Sequence, residues 1–288
     1  MIVAKDRSVV KKNDASKGQK FLYRFFLGRV FLFILTRPFI SKLGGFILSL
    51  RLSKIGIKRF ARKNNINVDD YIMDEINSFN DFFCRKIKDG RRAIDLDSKA
   101  FISPCDSKLS VYKINDDSIF NIKGSYYRVC DLINNVELSK NYIGGYALIF
   151  RLCVDDYHRY CYIDSGTKSK NVHINGIFHT VNPIALEKYN FFKTNNREYS
   201  ILHTNHFSDV IEIEVGAMMV GKIDNYHDEY SFKKGEEKGK FLFGGSTIVL
   251  LVKDCVKIDD VYLDETRLGN EVIVKYGEKI GEVYEKNL

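Results

Sequence analysis

The chain has 288 residues, 45% of them hydrophobic and 13% aromatic, which is enough for one large core with an appendage. Its six cysteines, at 84, 105, 130, 153, 161 and 255, contain no Cys-x-x-Cys pair, which argues against a zinc ribbon or disulfide frame and for reduced thiols in a cytosolic compartment. The net charge of +8 is uneven: residues 1–70 carry 16 Lys/Arg against 4 Asp/Glu, and the remaining residues 29 against 33, so a basic arm precedes a mildly acidic body.

In chain order, residues 1–20 are polar and basic and read as loose. Residues 21–62 read as helices, broken near Arg37-Pro38 and again at Gly44-Gly45. The segment Phe21–Leu52 is dense in Phe, Leu and Ile, yet Arg24, Arg29, Arg37 and Lys42 interrupt it, and a bilayer crossing needs about 20 apolar residues. No small-residue cleavage site follows, so a signal peptide is not expected. A basic arm suits a polyanionic surface, and nucleic acid would gain nothing from this apolar content. An interfacial membrane helix pair with snorkelling arginines is expected, against packing on the body as an ordinary core helix. Asn64-Asn65-Ile66-Asn67 reads as a turn, and Val68–Lys88 has helical spacing.

From Ala100 the pattern becomes β. Tyr146–Leu152 reads as a buried strand, and 172–177, 210–215, 248–252 and 272–276 as further strands. The expected class is α+β: an N-terminal helical layer, 1–70, on a mostly antiparallel, barrel-sandwich-like catalytic domain, 71–288.

The chemistry concentrates at Gly244-Gly245-Ser246-Thr247. Glycines leave room around a peptide carbonyl, and a serine hydroxyl just after one can turn back on it. The resulting internal ester can eliminate and hydrolyse to a pyruvoyl group, cutting the chain between Gly245 and Ser246. A ketone at a new N-terminus forms a Schiff base with an amine and accepts electrons, as pyridoxal does. A glycine turn with an incidental serine is the plainer reading of these four residues alone.

Further motifs shift that balance. Phe79-Asn80-Asp81-Phe82-Phe83-Cys84-Arg85-Lys86-Ile87 is followed by Arg92-Ala93-Ile94-Asp95, then Ser103-Pro104-Cys105-Asp106-Ser107-Lys108-Leu109. Asp156-Tyr157-His158-Arg159-Tyr160, Val181-Asn182-Pro183, Val215-Gly216-Ala217 and Val220-Gly221 come next, ahead of the glycine pair. In this order they resemble the phosphatidylserine decarboxylase family from about Phe79 to Glu282.

The resemblance implies a phosphatidylserine decarboxylase. It would self-cleave into fragments 1–245 and 246–288, work through a pyruvoyl group derived from Ser246, and need neither metal nor pyridoxal phosphate. It also implies an Asp106–His158–Ser246 relay, in which the carboxylate orients the imidazole as the serine loses its proton. Taken alone, Asp106 would be a turn residue after Pro104 and His158 a surface imidazole. The family pattern Tyr-His-x-x-His places a second histidine where this chain has Cys161, and the relay role usually falls there. His158 acting alone, a low-pKa Cys161, or Asp106 acting directly on Ser246 are therefore all open, with His158 favoured and His179 an outside candidate.

The implied partners are phosphatidylserine in an anionic membrane surface and the chain's own two fragments as a heterodimer, with a homodimer left open and no nucleic acid. The implied location is peripheral, on the cytoplasmic face of the cell membrane. Two alternatives remain at this stage: a pyruvoyl decarboxylase of a soluble amino acid, and a non-catalytic membrane-tethering barrel-sandwich protein.

Overall fold

The computed structural model describes residues 1–11, 21–22, 25–35, 37–122, 125–176, 194–216, 223–242 and 246–284. Of the residues singled out in the sequence, 12–20, Arg24, Ile177, His179, Val181-Asn182-Pro183, Ala217, Val220-Gly221, Gly244 and Gly245 lie outside them.

Mixed helix and strand form, as expected, and an eleven-stranded, largely antiparallel sheet dominates. At its centre lies strand Ser246–Val252, all seven residues buried. It pairs antiparallel with Asp209–Val215 on one side and Tyr146–Leu152 on the other. These strands are rich in Val, Ile and Leu on both faces because both faces are covered. Arg197–Thr204 extends the sheet beyond Asp209–Val215, while Ser107–Lys113 and Glu271–Val274 extend it beyond Tyr146–Leu152. The path is open at both ends, with no closed barrel among the described residues. A three-stranded sheet, Arg159–Cys161 with Glu237–Phe241 with Ile223–Asn225, accompanies it.

Three expectations require correction. Residues 1–11 are not loose: Ile2–Val3 pairs parallel with Glu271–Val272, and both side chains are buried. The Met1 ammonium donates to Asn270 Oδ1 at 2.9 Å. The first strand therefore belongs to the body, held by the buried Ile2 and Val3 side chains. Second, the chain breaks at Arg37-Pro38, where proline opens helix Pro38–Ser49, but Gly44-Gly45 lies inside that helix, which ends at Leu50. Third, Val68–Lys88 is not one helix. Tyr71–Ile72 and Lys86–Ile87 pair as short strands around helix Phe79–Phe83. The Ser78 side chain caps that helix by accepting from Asp81 N, a local bond that starts a new helix instead of continuing an old one.

The arm is helical over Phe26–Leu35, Pro38–Ser49 and Ile57–Lys63. Leu32 is buried in the apolar cluster that includes Leu132, Ile149, Ile211 and Val249, but Phe26, Leu27, Val30, Phe31 and Phe33 form an exposed apolar face. Phe39, Phe46 and Ile47 continue it, as do Leu52 and Ile55, which are 78% and 84% exposed. No helix among the described residues is long and apolar enough to cross a membrane. The arm is fastened to the body through helix Phe79–Phe83: Ser53 Oγ accepts Phe79 N–H at 2.8 Å, and Asn80 Nδ2 donates to Ser49 Oγ at 3.3 Å.

Candidate active site

Ser246 opens the central strand directly after the glycine pair. It is fully buried, and its Oγ has no hydrogen-bond partner among the described residues. A buried hydroxyl without a partner is costly in a protein that only needs to fold, so it marks a candidate for chemistry. Ser246 lies opposite Leu152 in the sheet. Six residues after Leu152, the His158 carbonyl accepts the N–H of Phe241 at 2.9 Å. Residues 152–158 are thus tied at one end to Ser246, through its pairing with Leu152, and at the other to Phe241, through the His158 carbonyl.

His158 is fully buried. Its Nδ1 lies 3.0 Å from the Asp156 carbonyl oxygen, and its ring packs on Phe83 at 3.8 Å between centroids. A carbonyl only accepts, so Nδ1 carries the proton and Nε2 presents a lone pair. Nε2 has no partner among the described residues. Burial, reinforced by the Arg85 charge, pushes the imidazole pKa down to about 3, so it is neutral at physiological pH.

Asp106 is also buried, but its oxygens are engaged elsewhere. Arg92 holds them with Nε at 3.0 Å and Nη2 at 2.6 Å, Tyr276 N–H donates at 2.9 Å, and Lys275 Nζ lies 3.5 Å away. Burial raises the carboxyl pKa, but Arg92, Lys275 and the Tyr276 amide outweigh it and hold the group below the usual range. Gly277, with φ +80°, makes the turn that delivers this amide, and a side chain there would meet Ile94 at 2.8 Å. Among the described residues no hydrogen bond joins Asp106 to His158, or His158 to Ser246. The Asp106 charge is nonetheless near enough to favour the protonated imidazole.

Cys161 N–H donates to the Pro104 carbonyl at 2.9 Å, which brings it beside the Asp106 turn. Burial pushes its thiol pKa up. That is the opposite of the low pKa a thiolate relay would need.

The arrangement adds residues to which sequence reading gave no role. Arg85 and Phe83 sit in the first quoted motif, and Arg92 in the run after it. A second group consists of buried charge pairs whose members are far apart in the chain. Lys108 Nζ holds the Asp156 carboxylate at 2.6–2.7 Å, and Arg151 pairs bidentately with Glu271 at 2.7 and 2.8 Å. Lys238 pairs with Glu214 and lies 3.8 Å from Glu212, all three fully buried. Burial raises Glu212 to about 8. Alternation along Asp209–Val215 had no way to announce these charges, because the partner Lys238 comes from the small sheet.

A triad of Cys153, Asp155 and Asp156 is close enough to hold a metal ion, but Arg151 donates to the thiol and Lys108 occupies Asp156.

Residues 79–282 match the phosphatidylserine decarboxylase family. The chain is 50% identical over 280 residues to phosphatidylserine decarboxylase proenzyme 2 of Clostridium acetobutylicum, covering 96% of both chains. It is 43% identical to the phosphatidylserine decarboxylase proenzyme of Clostridium kluyveri, over 88% of this chain and 87% of that one. The proenzyme of Clostridium tetani is likewise 43% identical, over 88% of each.

Proposed function

The chain belongs to the phosphatidylserine decarboxylase family and is a decarboxylase made as a proenzyme, and from that premise we propose that it cuts itself between Gly245 and Ser246 to build its own pyruvoyl group. The alternatives of a soluble amino-acid decarboxylase and a non-catalytic tether give way to this membership. Ser246 carries the reading: a buried hydroxyl without a partner, one residue past a glycine pair, at the head of the central strand.

In this reading His158 Nε2 takes the Ser246 proton as Oγ attacks the Gly245 carbonyl. The resulting ester breaks by elimination, leaving a carboxylate at Gly245. Hydrolysis at residue 246 consumes one water and releases ammonia. Asp106 acts as a fixed negative charge that favours the imidazolium without touching it; Arg92, Lys275 and the Tyr276 amide keep it ionised. The pyruvoyl group would supply a ketone that takes up electrons as carbon dioxide leaves the substrate. His158, enclosed by Phe83 and excluded from water, would handle the proton that replaces the carboxylate.

Phosphatidylserine stays in a bilayer, so the site must meet a membrane. The exposed Phe and Leu face of the arm, set among 16 basic residues in the first 70, suits the interface of an anionic leaflet. We place the protein peripherally on the cytoplasmic face of the cell membrane.

Denaturing electrophoresis with intact-mass analysis tests the core of this reading. Fragments 1–245 and 246–288, the smaller beginning with pyruvoyl, are expected. Full-length, active protein would overturn it.

A further inference from the structure

We propose that Arg85 is a positioning residue for proton transfer: its guanidinium clamps the Asp156 carbonyl that orients the imidazole of His158. Arg85 is only 1% exposed. Nη2 donates to the Asp155 and Asp156 carbonyls at 3.2 and 3.3 Å and to the Tyr71 hydroxyl at 3.4 Å, while Nη1 donates to the Phe82 carbonyl at 3.3 Å. The guanidinium lies over the Tyr71 ring at 4.2 Å and near the Phe82 ring at 5.1 Å. Among the described residues it has no carboxylate partner.

A buried cation without a counter-ion is expensive, and fold stability alone would favour an apolar side chain of similar volume. What the charge does here is specific. The Asp156 oxygen it holds is the one that meets His158 Nδ1 at 3.0 Å. One carbonyl with two lone pairs thus receives both groups, and its direction sets the plane of the imidazole and keeps the proton on Nδ1. Two residues before Arg85, Phe83 packs on the same ring. A single short segment therefore fixes both the face and the edge of His158.

The planar guanidinium matters because Nη2 takes the Asp155 and Asp156 carbonyls while Nη1 takes the Phe82 carbonyl, and its face stacks on aromatic rings, a combination a lysine ammonium cannot match. The other charged groups facing His158 are accounted for. Lys108 is paired to the Asp156 carboxylate, Asp106 to Arg92, and Arg159, next in the chain, to Glu237. Arg85 is the cation left to bear on the imidazole, and its charge favours the neutral form.

The inference rests on His158 being the base, and the experiment separates the two. Self-cleavage of R85K, R85M and H158Q proenzymes is followed by gel between pH 4 and 8. The His158 tautomer is read by 15N NMR in an uncut S246A background, with and without R85K. R85K should retain the charge but lose the clamp: slower cleavage, on the order of 10²-fold, with a flat pH profile and loss of the single Nδ1–H tautomer. R85M should be slowed as much and should also fall off toward acid as the imidazole pKa rises. R85K cleaving at the wild-type rate with an unchanged tautomer overturns the proposal, and it decides alone if R85M does not fold. H158Q cleaving at the wild-type rate would instead remove the reading of His158 as base.

Discussion

The backbone carbonyl of His158 accepts the N–H of Phe241 at 2.9 Å, and this bond ties the imidazole to the segment that leads into Ser246. The two residues are 88 positions apart in sequence. Residues 152–158 link them, ending in His158 and tied to Ser246 through its pairing with Leu152.

After self-cleavage the two fragments should stay together without a covalent bond. Strand Ser246–Val252 keeps its ladders to Asp209–Val215 and Tyr146–Leu152, and its side chains remain in the core. Size-exclusion chromatography should give one peak under native conditions and two species only in denaturant. Ser246→Ala should remain a single inactive chain.

His158→Gln should slow self-cleavage by about 10² to 10⁴-fold, the usual worth of a positioned base. Cys161→Ala should cleave near the wild-type rate, since burial raises its thiol pKa. Time-resolved gels measure both, and loss of cleavage in Cys161→Ala would show that the thiol had taken over the relay.

Asp106→Asn should affect folding as well as cleavage. It leaves the part-exposed Arg92 without its buried counter-charge, a loss smaller than the ~3–5 kcal/mol of a fully buried pair because water reaches the guanidinium. Thermal unfolding of Asp106→Asn and of the double variant Asp106→Asn/Arg92→Met separates the two effects. Stability should partly return in the double variant, while cleavage stays slow.

Stability should rise with pH through the acid range. His158 is neutral in the fold with a pKa near 3, whereas an unfolded histidine titrates near 6.5. Between those values the unfolded chain binds more protons, so this stabilisation is complete above about pH 6.5 and is lost as pH falls toward 3. The slope from this group is at most about 1.4 kcal/mol per pH unit. Urea unfolding of the S246A and S246A/H158Q proteins should differ in slope across that window. Identical slopes would mean that the imidazole is not buried neutral.

Anionic vesicles should bind the protein more tightly than zwitterionic ones, with partial release by salt. Each basic residue near the surface contributes about 1 kcal/mol. Replacing Phe26, Phe31 and Phe33 by serine should weaken binding without impairing self-cleavage, because these rings face away from the body. Flotation assays measure the difference. A simple deletion of residues 1–50 would be a poor test, because it also removes Ile2 and Val3 from the sheet.

The sequence by itself determined the nucleophile candidate, the family, the helical arm and the central strands. These are local signals: a glycine pair before serine, motifs of a few residues, and alternation or apolar runs along one segment. Tyr146–Leu152 is found with both ends as read. Only tertiary structure decided the rest. The buried Ile2 and Val3 become a sheet strand only because Glu271–Val274 offers an edge. Asp106 turns to Arg92 and the Tyr276 amide, not to His158, because burial forces a carboxylate to take the nearest donors. Arg85 gained its place because a carbonyl 71 residues away comes to lie beside it. Charge compensation in a buried site is settled between segments distant in the chain, and no local pattern records it.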